Sequence, residues 1–139
     1  MVDYVIDTNV LSELSRAAPD PRVVTFLAGV SDAWISVIVF QEMSFGIWRM
    51  EDPQRRLRLF GFVEMYKARF KDRIVAVDLP TAEIAGRFRA AEAGFGRKLA
   101  HMDALIAACA FAKGATLATR NAKDFEYLGI PLFNPWDGP

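Results

Sequence analysis

The stretch Val2-Asp3-Tyr4-Val5-Ile6-Asp7-Thr8-Asn9-Val10-Leu11 opens with a short apolar run, Val2–Ile6, that stops abruptly at Asp7-Thr8-Asn9. The apolar part reads as a strand. Asp7, Thr8 and Asn9 are residue types that open helices, and Val10, Leu11 and Leu14 then follow at helical spacing, which predicts a helix over Val10–Arg16. One strand feeding directly into one helix is the repeating unit of an α/β fold.

The rest of the chain continues that alternation. Pro19 and Pro21 break the first helix, and a second is expected over Pro21–Gly29. Ala33–Val37 reads as a strand, Ile38–Met50 as a helix, and Pro53 opens a longer amphipathic helix reaching about Phe70. Ile74–Val77 is a further strand, and Pro80 starts a helix ending near Gly94 and Gly96. Met102–Lys113 is a helix closed by Gly114, Thr116–Ala118 is a strand, and Pro131–Phe133 is the last candidate strand. Short apolar strands between helices imply a mostly parallel sheet covered on both faces. No repeat, low-complexity tract or linker interrupts the series, so residues 1–139 are expected to form a single domain.

In such sheets ligands collect outside the carboxyl ends of the strands, so acids there come first. Asp7 lies at the expected end of the first strand, with a helix cap as its plain reading. Glu42 falls on the expected helix with Ile38, Val39, Phe45 and Gly46 as face neighbours, which puts it on an apolar stripe. A buried glutamate needs a partner, and a salt bridge to an arginine is the plain alternative. Asp103 is the only charge in the run from Met102 to Ala112, which is apolar nearly all round. A first-turn anion gains from the helix dipole, which explains one aspartate but not three acids aimed at the core. Asp124, in Thr119-Arg120-Asn121-Ala122-Lys123-Asp124-Phe125, reads alone as the cap of a short turn.

Converging carboxylates repel each other and raise each other's pKa values, and a divalent cation relieves that strain. Oxygen ligands of this kind suit Mg²⁺ or Mn²⁺. The single histidine, His101, excludes both a two-histidine acid–base ribonuclease and a multi-histidine zinc site, and its plain reading is a loop or capping residue. The single cysteine, Cys109, excludes an internal disulfide and a cysteine-ligated zinc, and fits a reducing compartment.

Composition narrows the class further. The 139 residues are 53% hydrophobic, enough for a buried core without covalent staples. Seventeen basic and seventeen acidic residues cancel, so net charge neither favours nor excludes nucleic acid. Between Arg49 and Arg73, however, Arg49, Arg55, Arg56, Arg58, Lys67, Arg69, Lys71 and Arg73 outnumber Glu51, Asp52, Glu64 and Asp72. That excess can attract phosphates, or can simply be a solvated helix face. Trp48, Phe60, Phe62, Tyr66 and Phe70 can stack bases or line a groove for a partner helix, with core packing as the default. The start Met1-Val2-Asp3-Tyr4 carries no signal-peptide pattern, and no apolar run is long enough to span a bilayer, so a soluble cytoplasmic protein is expected.

The strand ending in Asp7-Thr8-Asn9-Val10-Leu11, Glu42 on a helix, Asp103 opening an apolar helix, and Leu117-Ala118-Thr119-Arg120-Asn121-Ala122-Lys123-Asp124-Phe125 together resemble the PIN-domain family. Within it the pattern is most similar to VapC-type toxins, including the FitB-like branch, and the likeness runs from Val2 to Asn134-Pro135-Trp136. The resemblance implies a three-layer α/β/α sandwich with a central, mostly parallel sheet. It implies a Mg²⁺- or Mn²⁺-dependent endoribonuclease, the toxin of a type II toxin–antitoxin pair, cutting single-stranded or loop RNA with a metal-activated water. Asp7, Glu42 and Asp103 become the acidic core and Asp124 the fourth acid, with Asp7 and Asp103 the main metal ligands. Thr8, Asn9 and Thr119, with Asn121 less central, become hydrogen-bonding supports. Partners implied are the RNA, a cognate antitoxin protein and a second copy of the chain. The stretch Lys98-Leu99-Ala100-His101-Met102 departs from the common family form, which carries a proline there.

Three other readings are compatible with an acidic α/β site: a metal-dependent DNA nuclease, a catalytically silent PIN binding module, and a receiver-like phosphoacceptor. The last normally needs adjacent acids after the first strand, where this chain has Thr8 following Asp7.

Overall fold

The structure, a computed structural model, describes residues 2–138. Met1, where the leader reading begins, and Pro139, where the single-domain expectation ends, lie outside the described residues.

Among the described residues, five short strands alternate with helices. They are β1 (Tyr4–Ile6), β2 (Ile35–Ser36), β3 (Ile74–Val75), β4 (Thr116–Ala118) and β5 (Leu132–Phe133). β1 pairs with β4 through Tyr4↔Thr116, Val5↔Leu117 and Ile6↔Ala118, β4 pairs with β5, and β2 pairs with β3, all parallel. A parallel bridge between Val5 and Trp34 joins the two sets, with Trp34 donating to the Tyr4 carbonyl at 2.7 Å and Ile6 to the Trp34 carbonyl at 3.1 Å. The spatial order is therefore β3-β2-β1-β4-β5, and it reverses direction between β1 and β4. Consecutive strand residues point to opposite faces. Val5 and Ile6 are both fully buried, as are Leu117 and Ala118, so both faces of the sheet are covered. The sequence expectation of a covered parallel sheet thus holds, and the architecture is the α/β sandwich.

Six α-helices among the described residues supply the cover: α1 (Thr8–Ser12), α2 (Pro21–Gly29), α3 (Val37–Arg49), α4 (Pro53–Arg69), α5 (Leu79–Gly94) and α6 (His101–Lys113). Side-chain caps set five of their starts, from Asp7, Asp20, Ser36, Asp52 and Asp78, each accepting from a first-turn N–H. α6 alone among the described helices begins without a side-chain cap. It ends where Gly114 takes φ +59°, a left-handed turn that a Cβ would strain. α6 packs on β1, β4 and α5, and its Ala104, Ile106, Ala107 and Ala108 are fully buried.

Several elements differ from the sequence expectation. The strand expected over Ala33–Val37 shrinks to two residues because the Ser36 hydroxyl accepts the Ile38 N–H at 3.1 Å and starts α3. The helix expected over Val10–Arg16 begins at Thr8, since Asp7 is its cap, and tightens into a 3₁₀ turn over Glu13–Ser15. There the buried Glu13 carboxylate accepts the Asp20 N–H at 2.9 Å and stays within 3.5 Å of Arg16. The aromatic series divides: Tyr66 and Phe70 join the core, whereas Trp48 is 79% and Phe60 51% exposed. No helix among the described residues is long and apolar enough to cross a membrane.

Tyr66 ties α4 to the helix that follows Asp7, its buried hydroxyl donating to the Leu11 carbonyl at 3.0 Å. Tyr66→Phe removes that bond without changing the packed ring, and should cost about 1 kcal/mol in urea unfolding. An unchanged midpoint would show that the bond contributes nothing net.

Candidate active site

The reversal of strand order between β1 and β4 opens a crevice at their carboxyl ends, and Asp7 and Thr119 are the residues that leave those ends. The Asp7 N–H donates to the Ala118 carbonyl at 2.9 Å, which continues the ladder one residue past β1. The residue is buried, with 4% of its surface exposed. One oxygen, Oδ1, accepts the Thr8 N–H at 2.8 Å as the cap of α1. The other, Oδ2, accepts the Thr119 hydroxyl at 2.8 Å and lies 3.4 Å from Asn9 Nδ2. Thr119 is itself fully buried and its Oγ1 also accepts the Asn121 N–H at 3.1 Å. The groups that donate to the Asp7 carboxylate, from Thr8, Asn9 and Thr119, are all neutral.

Glu42 approaches from α3. Its Oε1 accepts the Thr8 hydroxyl at 2.7 Å, so Thr8 serves Asp7 with its backbone and Glu42 with its side chain. The expected apolar stripe is only partly real: Ile38 and Val39 are buried, but Phe45 is 63% exposed and Glu42 is half-buried at the edge. A salt bridge to Glu42 is not formed; among the described residues, no lysine or arginine pairs with Asp7, Glu42 or Asp103. Asp103 lies in the uncapped first turn of α6 and is half-buried.

The three acids raise one another's proton affinity. Burial, then the neighbouring Glu42, pushes the Asp7 carboxyl up against the pull of Thr119 and Thr8. Glu42 is raised by burial and by Asp103, with the Thr8 hydroxyl opposing. Asp103 is pushed up to about 6, first by burial and then by Asp7 and Asp124. Three carboxyls without a cation between them make a site that is costly to ionise in its own right.

The remaining sequence candidates are less central. Asp124 is exposed, in a 3₁₀ turn over Ala122–Phe125, close enough for its charge to reach Asp103. It does not cap that turn, whose cap position is Asn121. Asn121 supports Thr119 through its backbone N–H, with its side chain exposed. His101 is exposed at the start of α6, and Cys109 is buried with its thiol 3.5 Å from the Ser36 hydroxyl. Arg120 was not singled out by the sequence, although it separates Thr119 from Asn121; its N–H donates to Asn9 Oδ1 at 3.2 Å.

Hard oxygen donors under mutual repulsion fit a divalent cation such as Mg²⁺ or Mn²⁺. Among the described residues no three histidine, cysteine or acidic side chains close on one point. The set therefore suits an ion that keeps several waters and touches few carboxylates directly, not an all-protein cage.

The sequence model of the PIN domain matches residues 4–130 of this chain. The chain belongs to the PIN-domain family. This PIN domain is 33% identical over 139 residues to the VapC ribonuclease Y4jK of Sinorhizobium fredii, across 96% of this chain and 97% of the relative. It is 32% identical over 135 residues to the toxin FitB of Neisseria gonorrhoeae, across 95% and 97% of the two chains. The crystal structure of FitAcB from Neisseria gonorrhoeae superposes with a TM-score of 0.87 at 32% identity, covering 96% of this PIN domain and 98% of that chain. DNA-bound VapBC from Salmonella typhimurium does so with a TM-score of 0.80 at 26% identity, covering 97% and 99%.

Raised carboxyl pKa values give this PIN domain a definite pH dependence in the absence of metal. A folded-state pKa above the unfolded value means that the folded protein binds the proton more tightly. Stability from Asp103 is then full below its unfolded pKa, near 3.8, and is lost as pH rises through about 6. In EDTA, Asp103→Asn should therefore raise stability at pH 7.5 by about 1 kcal/mol, allowing for solvent screening of a half-exposed group, and leave it unchanged at pH 3.5. Equal stability of the two proteins at both pH values in thermal unfolding would refute the electrostatic account of Asp103.

Proposed function

We propose that this chain is the toxin of a type II toxin–antitoxin pair, a Mg²⁺- or Mn²⁺-dependent endoribonuclease that cuts single-stranded or loop RNA in the cytoplasm. The observation that carries the reading is the mutual charge influence of Asp7, Glu42 and Asp103 around the carboxyl ends of β1 and β4, where among the described residues none of them pairs with a lysine or arginine. The ribonuclease and toxin named among its relatives support the reaction class.

Asp7 and Asp103 are the main ligands in this reading, directly or through water, and Glu42 completes the acidic core. The bound ion would activate a water for attack on a phosphodiester and offset the charge that builds there. The chain's own groups hold that arrangement in place. Thr119 and Asn9 fix one oxygen of Asp7, Thr8 N–H fixes the other, and Thr8 Oγ1 turns Glu42 inward. Asp124 is the fourth acid in this reading, at the solvent side, where its charge adds to the field on Asp103.

The partners in this reading are RNA, a cognate antitoxin and a second copy of the chain. The antitoxin would supply the DNA-binding part of the complex, consistent with a solved relative being VapBC bound to DNA. Exposed Trp48 and Phe60 on α3 and α4 are apolar surface available to such a partner.

Purified protein should cleave total cellular RNA with Mg²⁺ or Mn²⁺ and not with EDTA, and should leave single-stranded DNA intact. Loss of an outer support at metal sites costs about 10–100-fold, so Asp7→Asn should lower the rate by more than about a hundredfold with the fold retained. Asp124→Ala should cost less. Full activity of Asp7→Asn, or cleavage undiminished by EDTA, would overturn the assignment.

A further inference from the structure

Two grooves meet at Arg120. One, of about 370 Å³, runs beside Thr8 and Glu42 and is flanked by Arg16 and Arg55. The other, of about 490 Å³, runs past Lys123 and Asp124. Arg120 lines both.

Its position is fixed from three directions. The backbone N–H donates to Asn9 Oδ1 at 3.2 Å, the carbonyl accepts from Asn134 Nδ2 at 3.3 Å, and the guanidinium lies 4.9 Å from the centre of the Trp136 ring. Trp136 is buried and held in turn by its N–H on Asn134 Oδ1 at 2.9 Å. Arg120 nevertheless remains exposed, and among the described residues it makes no ion pair. Asp20, whose carboxylate feels Arg120, is already held by Arg22 through hydrogen bonds of 3.1 and 2.8 Å. Arg55 is likewise exposed and outside every ion pair of the described residues, whereas Arg16 is shared with Glu13 at 3.5 Å.

We propose that Arg120 binds a backbone phosphate of single-stranded RNA where the two grooves join, and that Arg55 binds a second phosphate along the first groove. The proposal rests on the ribonuclease reading above and names how that site holds its substrate. Phosphodiesters are repelled by the carboxylates, so the strand needs fixed positive charge beside them. A guanidinium presents a planar fork that matches phosphate oxygens, and an aromatic face restricts its motion without neutralising it. Asn9 links the two functions: its oxygen anchors the Arg120 backbone, and its nitrogen lies 3.4 Å from Asp7 Oδ2 and 3.5 Å from Thr119 Oγ1. The phosphate position is thereby tied to that of the acidic centre.

The test is fluorescence anisotropy of a labelled, mixed-sequence single-stranded RNA with Mg²⁺, in the full chain carrying Asp7→Asn to suppress cleavage. Adding Arg120→Ala should weaken binding by about tenfold or more, as expected for a lost charge-assisted phosphate contact. It should also flatten the slope of log K against log salt by about 0.7. Arg120→Lys should recover part of both, Arg55→Ala should act in the same direction, and Arg87→Ala on α5, away from both grooves, should change neither. Circular dichroism on each variant separates lost contacts from lost structure, and Arg120→Gln, which keeps the stem over Trp136, serves if the alanine variant unfolds. Unchanged affinity and salt slope for Arg120→Ala, with the parent binding normally, overturns the proposal and leaves the ribonuclease reading intact. Failure of the parent to bind RNA, together with failure of the wild type to cleave it, overturns both.

Discussion

β1 and β4 pair in parallel, and this pairing brings Asp7 to Thr119 across 112 positions of sequence. The rest of the site depends on it. Without the register Ile6↔Ala118, the Asp7 N–H has no Ala118 carbonyl to meet and its carboxylate has no Thr119 hydroxyl. Burying an ionised carboxylate costs several kcal/mol unless its lone pairs are filled. Here three neutral donors fill some of them, and among the described residues no positive side chain fills the rest. The fold thus holds a buried carboxyl group with raised proton affinity, and among the described residues no pairing cation, at the place where strand order reverses.

That raised proton affinity is reinforced by what is brought towards it. α3 carries Glu42 to the Thr8 hydroxyl, and α6 begins at Ala100 without a side-chain cap, with Asp103 in its first turn. Each acid raises a neighbour, and Asp103 is pushed up to about 6. Positive charge is present in the same region but kept one step away, at Arg120, Arg55 and Arg16 along the grooves. Separation of the two signs is what distinguishes this arrangement from a structural ion-pair network, in which the arginines would close on the carboxylates and silence them.

Much of the fold was legible because strand–helix alternation is written in local patterns. The run from Tyr4 to Ile6 stopping on Asp7, the apolar α6 and its Gly114 end all needed only neighbours in sequence. Strand lengths were not legible, because Ser36 acts as a cap that cuts β2 short, and a cap and a strand residue look alike in sequence. Asp7 and Asp103 stood out as acids in apolar company, and in the folded chain Glu42 raises Asp7 and Asp7 raises Asp103. The environment of Glu42 was only half right, since Phe45 turns to solvent and the partner is Thr8, not an arginine. Asp124 lies beyond the apolar company that marks the others, so its pattern carried little. Arg120 was not legible at all: its meaning comes from Asn9, Asn134 and Trp136, which only the folded chain assembles around it.

The central claim is that these carboxylates form a divalent-cation site, and metal binding tests it without recourse to activity. Calorimetric titration of metal-free protein with Mn²⁺ at pH 6, in two buffers of different ionisation enthalpy, reads both affinity and protons released. The account predicts saturable binding that expels protons at pH 6, where Asp103 is part-protonated, expels few at pH 8, and is lost in Asp7→Asn. Binding of equal strength in Asp7→Asn, or no binding by the wild type at either pH, would contradict it.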